Sequence, residues 1–261
     1  MCGRYVLVSK VAKIEKVFNV TSTLDDVAPS YNIGAAHKSP IICSDDTKAL
    51  VEGRFGYVPS YNIKQLLINA RSEKLLTNSE WRKAFSNNRC IVPADCFYEG
   101  PTKEKLSKPY LVYLKNKIRP FGFAGIYRDQ EIQGEIRRTF AILTTSPGKV
   151  MHRIGHHRSP IVLHPNEHSN WLNTNQPIAN ASEILQNNIN ELMNAYPVSA
   201  EMKSGKENHR GLIEPIGQRL MPEYDYETQF DVEVQGMGHR KGAKDAERLP
   251  ESIEKAFNKR K

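Results

Sequence analysis

The sequence predicts an α+β fold: a single compact, β-rich domain with a few helices at its periphery and a basic C-terminal tail. Three observations lead there. Short apolar runs alternating with polar residues recur along residues 2–216, as strands with one buried face do. Helical spacing is confined to a few stretches that do not alternate one for one with the strands, which argues against a parallel βαβ arrangement. From about Gly217 onward apolar positions thin out, and residues 237–261 carry eight Lys/Arg against four Asp/Glu. The expected division is therefore a domain at 2–216 and a flexible basic tail at 217–261.

Taken in order, Tyr5–Val8 reads as a strand, and Ser9 as the N-cap of a helix that places Val11, Ile14, Val17 and Phe18 on one face. Pro29-Ser30-Tyr31-Asn32-Ile33-Gly34 has loop composition. Strands are expected near Pro40–Cys43 and Leu50–Phe55, then an apolar run, Leu66 to Ala70, that turns polar at Arg71-Ser72-Glu73. Asn78 precedes a capped helix with Trp81 and Phe85 on one face. Residues 89–100 alternate as one strand and end at Glu99 before a Gly-Pro turn. Strands follow at Tyr110–Leu114, Phe121–Tyr127 and Phe140–Thr144, with the charged stretch Arg128–Arg138 as a hairpin tip. Helices are expected near Asn166–Leu172 and Ala181–Met193, and a last extended segment runs from Pro197 to about Ile216.

Composition narrows the functional classes. A hydrophobic content of 39 % with 25 % charged residues is ordinary for a soluble globular protein. The chain has no 18-residue apolar run and no basic-then-apolar leader, so an intracellular, soluble protein with no membrane partner is expected. Cys2, Cys43, Cys90 and Cys96 form no C-x-x-C pair and suggest neither a zinc ribbon nor a disulfide framework. A net charge of +8 favours polyanionic partners.

The Met1-Cys2-Gly3 start offers a small residue to the enzyme that trims initiator methionine. Once Met1 is gone, Cys2 carries an α-amine and a thiol with ordinary pKa values of about 8 and about 8.5. Such an aminothiol has two chemistries open to it. It can attack an acyl carbonyl with its own amine as base, or capture an aldehyde as an imine that the thiolate closes into a thiazolidine. Beyond it, the densest run of titratable donors is Met151-His152-Arg153-Ile154-Gly155-His156-His157-Arg158-Ser159-Pro160.

Six segments occur in a telling order: Cys2-Gly3-Arg4-Tyr5, Pro29-Ser30-Tyr31-Asn32, Asn69-Ala70-Arg71-Ser72-Glu73, Ala94-Asp95-Cys96-Phe97-Tyr98-Glu99, Phe123-Ala124-Gly125-Ile126 and His156-His157-Arg158-Ser159-Pro160. Together they resemble the SRAP (SOS-response-associated peptidase) family over about residues 2–216. The resemblance implies a DNA damage response protein that captures abasic sites in single-stranded DNA through a thiazolidine between Cys2 and the ring-opened deoxyribose, shielding the site. It implies catalytic roles for Cys2, Asn69, Glu99 and His156. Arg4, Arg71 and Arg158 would grip phosphates, and Ser30, Tyr31 and Asn32, with Phe55 and Tyr57, would contact the unpaired strand. The sequence departs from the family at Arg54-Phe55-Gly56-Tyr57, usually Arg-Trp-Gly-Leu, at Gly100, usually Trp, and at Ser159 before the proline. None of these falls on a residue the chemistry needs.

No metal or cofactor is expected, and a monomer is. Three other readings compete. The first is an N-terminal-nucleophile thiol peptidase, able also to remove its own Met1. The second is a zinc site at His152, His156 and His157, against which Gly155 argues for a loop. The third is a non-covalent nucleic-acid-binding module.

Overall fold

The structure is a computed structural model of the 261-residue chain and describes residues 3–132 and 134–223. The first strand, β1 (Arg4–Leu7), leads into α1 (Val11–Phe18), which buries Ile14 and Phe18. Ser9 is not the cap of α1. Its hydroxyl donates to Asp95 Oδ1 at 2.6 Å, and the Val8 and Ser9 amides each donate to Oδ2 at 2.7 Å. A carboxylate distant in sequence outcompetes the local role.

Next come β2 (Thr21–Ser22), β3 (Ser30–Gly34), β4 (Lys38–Cys43), β5 (Asp46–Phe55) and β6 (Asn69–Arg71). The Pro-Ser-Tyr-Asn segment, expected as a loop, is strand because β1 supplies a partner, with Tyr5 opposite Ile33; pairing overrides local composition. α2 (Ser79–Asn87) is capped as expected, Asn78 Oδ1 accepting from the Trp81 amide at 3.1 Å. The single strand expected at 89–100 is two, β7 (Arg89–Ala94) and β8 (Cys96–Glu99), because at Asp95 the amide turns to the Val6 carbonyl and the chain changes sheet.

After β9 (Tyr110–Leu114), β10 (Phe121–Ile132) and β11 (Glu135–Thr145) form a long hairpin. The charged stretch expected as its tip lies mostly within the ladder, with Arg128 opposite Thr139 and Ile132 opposite Glu135. α3 (Lys149–Ile154), β12 (Ser159–Pro160), α4 (His168–Leu172), α5 (Ile178–Gln186) and β13 (Met193–Pro197) complete the set. The helix expected to reach Met193 ends at Gln186, and Met193 instead opens β13 opposite Leu114. The segment expected to stay extended past Pro197 curls into short 3-10 turns at Ala200–Lys203 and Arg210–Ile213.

One sheet runs β12-β11-β10-β7-β4-β5-β2, and β5 also pairs in parallel with β11, Thr139 opposite Arg54, closing β11-β10-β7-β4-β5 into a barrel. Closure removes the exposed edges that an open sheet would present. The other sheet runs β13-β9-β8-β1-β3. Its alternating residues divide between two cores. Tyr5, Leu7 and Phe97 join Phe55, Phe123 and Phe140 in the main core, whereas Val6, Cys96 and Tyr98 join Leu111, Val198, Met202 and Leu212 in a smaller cluster. Past the boundary read at residue 216 the chain stays bonded to β13: Leu220 donates to the Ala195 carbonyl, and Asn194 bonds both polar backbone atoms of Met221. Residues 224–261, most of the expected basic tail, lie outside the described residues. Among the described residues no helix is long and apolar enough to cross a membrane.

Candidate active site

Glu99 is the last residue of β8 and points to the same face as Phe97, two residues before it, at the rim of the main core. It is 4 % exposed. Burial raises its carboxyl above the usual carboxylate range, an effect partly offset by the Gly100 amide, which donates to Oε1 at 3.3 Å. β1 runs antiparallel to β8 with Arg4 opposite Tyr98, so one further step of that register brings Gly3 level with Glu99. Cys2, the expected nucleophile, lies outside the described residues.

His156 reaches Glu99 from α3. The helix ends at Gly155, whose φ of 81° turns the chain back and lets the His156 amide donate to the Met151 carbonyl at 2.9 Å. His156 Nε2 lies 3.5 Å from Glu99 Oε1, and Nδ1 lies 2.8 Å from the Arg158 carbonyl. The Arg158 amide also faces Nδ1, at 3.4 Å, but the carbonyl, which only accepts, is much nearer; the geometry therefore favours the tautomer with the proton on Nδ1 and the Nε2 lone pair towards the carboxyl. Burial lowers the His156 pKa. Both groups are pushed towards neutrality, as suits an acid and a base working side by side.

A support missed in the sequence is Thr102. Its amide and its hydroxyl each donate to the Gly155 carbonyl at 3.1 Å, and the hydroxyl lies 3.0 Å from His157 Nδ1. The loop that carries it explains the Gly100 departure: a Cβ on Gly100 would come within 1.9 Å of the Lys105 carbonyl oxygen. Backbone fills the space a side chain at residue 100 would take, and no sequence pattern announces that contact.

β6, β11 and β12 gather the next group. Asn69 is opposite Ile142 and Arg71 opposite Thr144, while Pro160 also pairs with Thr144. Asn69 Nδ2 donates to the Ile142 carbonyl at 3.3 Å, leaving Oδ1 as a buried acceptor with no hydrogen-bond partner. Arg71 is exposed. Arg158 is not. Its guanidinium pairs with both Glu73 oxygens at 2.7 and 2.9 Å and with the Thr144 carbonyl at 2.6 Å. Glu73, whose carboxyl Arg158 holds below the usual range, was part of a sequence motif but had no assigned role.

Arg4, Ser30, Tyr31 and Asn32 are not gathered with these groups. Arg4 shares the face of Val6 and bonds Asn32 Oδ1 at 2.9 Å and the Lys203 carbonyl at 3.1 Å. Asn32 is buried, its amide nitrogen bonding the carbonyls of Met202, Ser204 and Glu207, while the Ser30 hydroxyl faces the Asn32 amide and Tyr31 packs on the smaller core. Phe55 and Tyr57, expected to stack on bases, are 0 % and 2 % exposed and belong to the core. Of the three histidines considered for zinc, His156 and His157 have ring centroids 4.8 Å apart, but His156 turns Nε2 to Glu99 and His157 turns Nδ1 to Thr102, while His152 sits on α3.

Comparison with known proteins points one way. The profile of the family described as SOS response associated peptidase (SRAP) matches residues 1–205. The abasic site processing protein YoqW of Bacillus subtilis (strain 168) is 34 % identical over 224 residues, covering 82 % of this chain and 99 % of that one. The abasic site processing protein YedK of Escherichia coli (strain K12) is 26 % identical, covering 71 % of this chain and 84 % of that one. A crystal structure of a protein from Bacteroides thetaiotaomicron superposes with a TM-score of 0.71 at 23 % identity, covering 83 % of this chain and all of that one.

Proposed function

The chain belongs to the SOS response associated peptidase (SRAP) family, and on that premise we propose that it captures abasic sites in single-stranded DNA as a covalent thiazolidine on Cys2. The observation that carries this reading is the buried Glu99–His156 pair at the end of β8, beside the strand whose next residues towards the N-terminus are Gly3 and Cys2. Relatives named for abasic site processing supply the substrate class.

In the proposed reaction the Cys2 α-amine adds to the C1 aldehyde of the opened deoxyribose. The carbinolamine loses its hydroxyl as water, the resulting imine carbon accepts the Cys2 thiolate, and one water leaves overall. Glu99 in its acid form protonates the departing oxygen; His156, neutral and held by the Arg158 carbonyl, takes up a proton and holds the sugar hydroxyl. The unpartnered Oδ1 of Asn69 suits an amine donor. Arg71 meets phosphate at the rim, and Arg158 serves through its neighbours. These groups all come from one chain, so a monomer suffices.

The test is incubation with abasic single-stranded DNA followed by a denaturing gel and intact-mass measurement. A one-to-one adduct is expected, absent with Cys2→Ala or with residues retained ahead of Cys2. Peptide turnover without an adduct would favour the thiol peptidase instead, and DNA retention lost on denaturation a non-covalent binder.

A further inference from the structure

We propose that Glu201, Glu207 and His209 form a zinc-binding site on the segment that buttresses β3. The three side chains each offer one ligand atom, and these atoms all lie within 4.8 Å of one another. His209 Nε2 is 3.5 Å from Glu201 Oε1 and 3.8 Å from Glu207 Oε2. Zinc bonds of about 2.0–2.2 Å at tetrahedral angles set neighbouring ligands roughly 3.3–3.6 Å apart. Two edges of the polyhedron thus already stand near the size a zinc ion requires.

The donor set narrows the metal. One imidazole nitrogen with two carboxylate oxygens is a borderline set that suits zinc, whereas calcium and magnesium favour oxygen alone. The ligand side chains are about half exposed, with 46 % for His209, 50 % for Glu201 and 42 % for Glu207, so an ion can enter and a water can complete the tetrahedron. His209 Nδ1 would lie 3.1 Å from a Cβ on Gly211. The bare glycine gives the ring room to lie there while Nε2 faces the carboxylates.

The ligands also stand on backbone that is tied down. Asn32 holds the carbonyls of Met202, Ser204 and Glu207 at 3.0, 2.8 and 2.9 Å. The Tyr31 amide donates to Asn208 Oδ1 at 2.7 Å, and the Ser199 hydroxyl caps the turn carrying Glu201. Little order therefore remains to be imposed when the metal binds. Bound zinc would close the segment from Glu201 to His209 on itself, which the Arg4 and Asn32 bonds already tie to β1 and β3. The site lies apart from Glu99 and His156 and does not depend on the reading of their chemistry.

The test uses full-length protein carrying Cys2→Ala, because a terminal aminothiol is itself a zinc ligand. After treatment with chelator, it is titrated calorimetrically with zinc chloride. One equivalent is expected to bind and to raise the melting temperature. His209→Ala should abolish that binding, and Glu207→Gln should weaken it by more than about ten-fold, the loss that follows when even a supporting residue of a metal ligand is removed. His152→Ala should leave it unchanged. Circular dichroism checks that each variant stays folded, which their exposure favours. Absence of stoichiometric zinc, or zinc bound equally well by His209→Ala and Glu207→Gln, overturns the site; an equal response to calcium overturns its assignment to zinc.

Discussion

A carboxyl and an imidazole buried side by side set opposite pH dependences for the protein that holds them. The Glu99 pKa is raised in the folded chain, so its contribution to stability is full below the ordinary glutamate value and is lost as pH rises through the raised one. The His156 pKa is lowered, so its contribution is present above the ordinary histidine value and is lost as pH falls through the lowered one. Glu99→Gln should then unfold at a higher urea midpoint than the parent at pH 8, with the gain shrinking towards pH 4; a gain that grows as pH falls would show that the carboxylate is favoured in place. The same change should slow the saturating rate of adduct formation by roughly 10²- to 10⁴-fold, as should His156→Ala. It should also remove the fall in rate at high pH, since glutamine has no proton to lose. Gly100 offers a purely steric counterpart: a methyl group within 1.9 Å of the Lys105 carbonyl must displace backbone, and Gly100→Ala is expected to cost about 1–3 kcal/mol in a denaturant titration.

Two elements show how far the sequence could be read. Residues 89–100 displayed a strand pattern and the pattern was right, yet the corner at Asp95 stayed invisible because alternation continues through it. Its cause is the acceptance of three donors from Val8 and Ser9, which lie far away in sequence. Asp95→Ala leaves those donors without their acceptor and should destabilise the fold by about 2–4 kcal/mol, water reaching the half-buried Ser9 and softening the loss. Glu99 and His156, proposed as acid and base, do meet in the fold, one at the end of a strand and the other just after a helix-ending Gly155. The arginines were not legible, because adjacency along the chain does not say which face of a pleated sheet a side chain takes. Arg4 turned to the side of Val6, and Arg158 was taken up by Glu73 from beyond β6. Arg71 and Arg158 should separate in kinetics. Arg71→Ala is expected to raise the half-saturating DNA concentration and lower the salt slope by about one unit at most. Arg158→Ala should instead lower the saturating rate, because the guanidinium ties Glu73 to the Thr144 carbonyl of β11 and so fixes the backbone carbonyl of residue 158 that holds His156. Equal salt slopes for Arg71→Ala and the parent would remove Arg71 from the phosphate contacts.

At the scale of the whole chain, the charge is distributed differently from what the last residues suggest. Residues 237–261 are basic, but residues 224–236 hold four acids and no Lys or Arg, so 224–261 as a whole carries eight of each sign. The net charge of +8 therefore belongs entirely to residues 1–223. Long-range attraction of a polyanion follows net charge and its distribution, so residues 1–223 have their own means of drawing in a single strand. Removal of 224–261 is accordingly expected to leave the salt slope for an abasic 20-mer unchanged to within about one unit, and to leave the saturating adduct rate unchanged as well. A tail that grips DNA through its basic end would behave otherwise: truncation would flatten the slope by several units. Adduct rates measured against DNA concentration at two or more salt concentrations, on the full chain and on residues 1–223, separate these outcomes. If the slope does flatten, the strand must extend beyond the pocket rim onto the last residues.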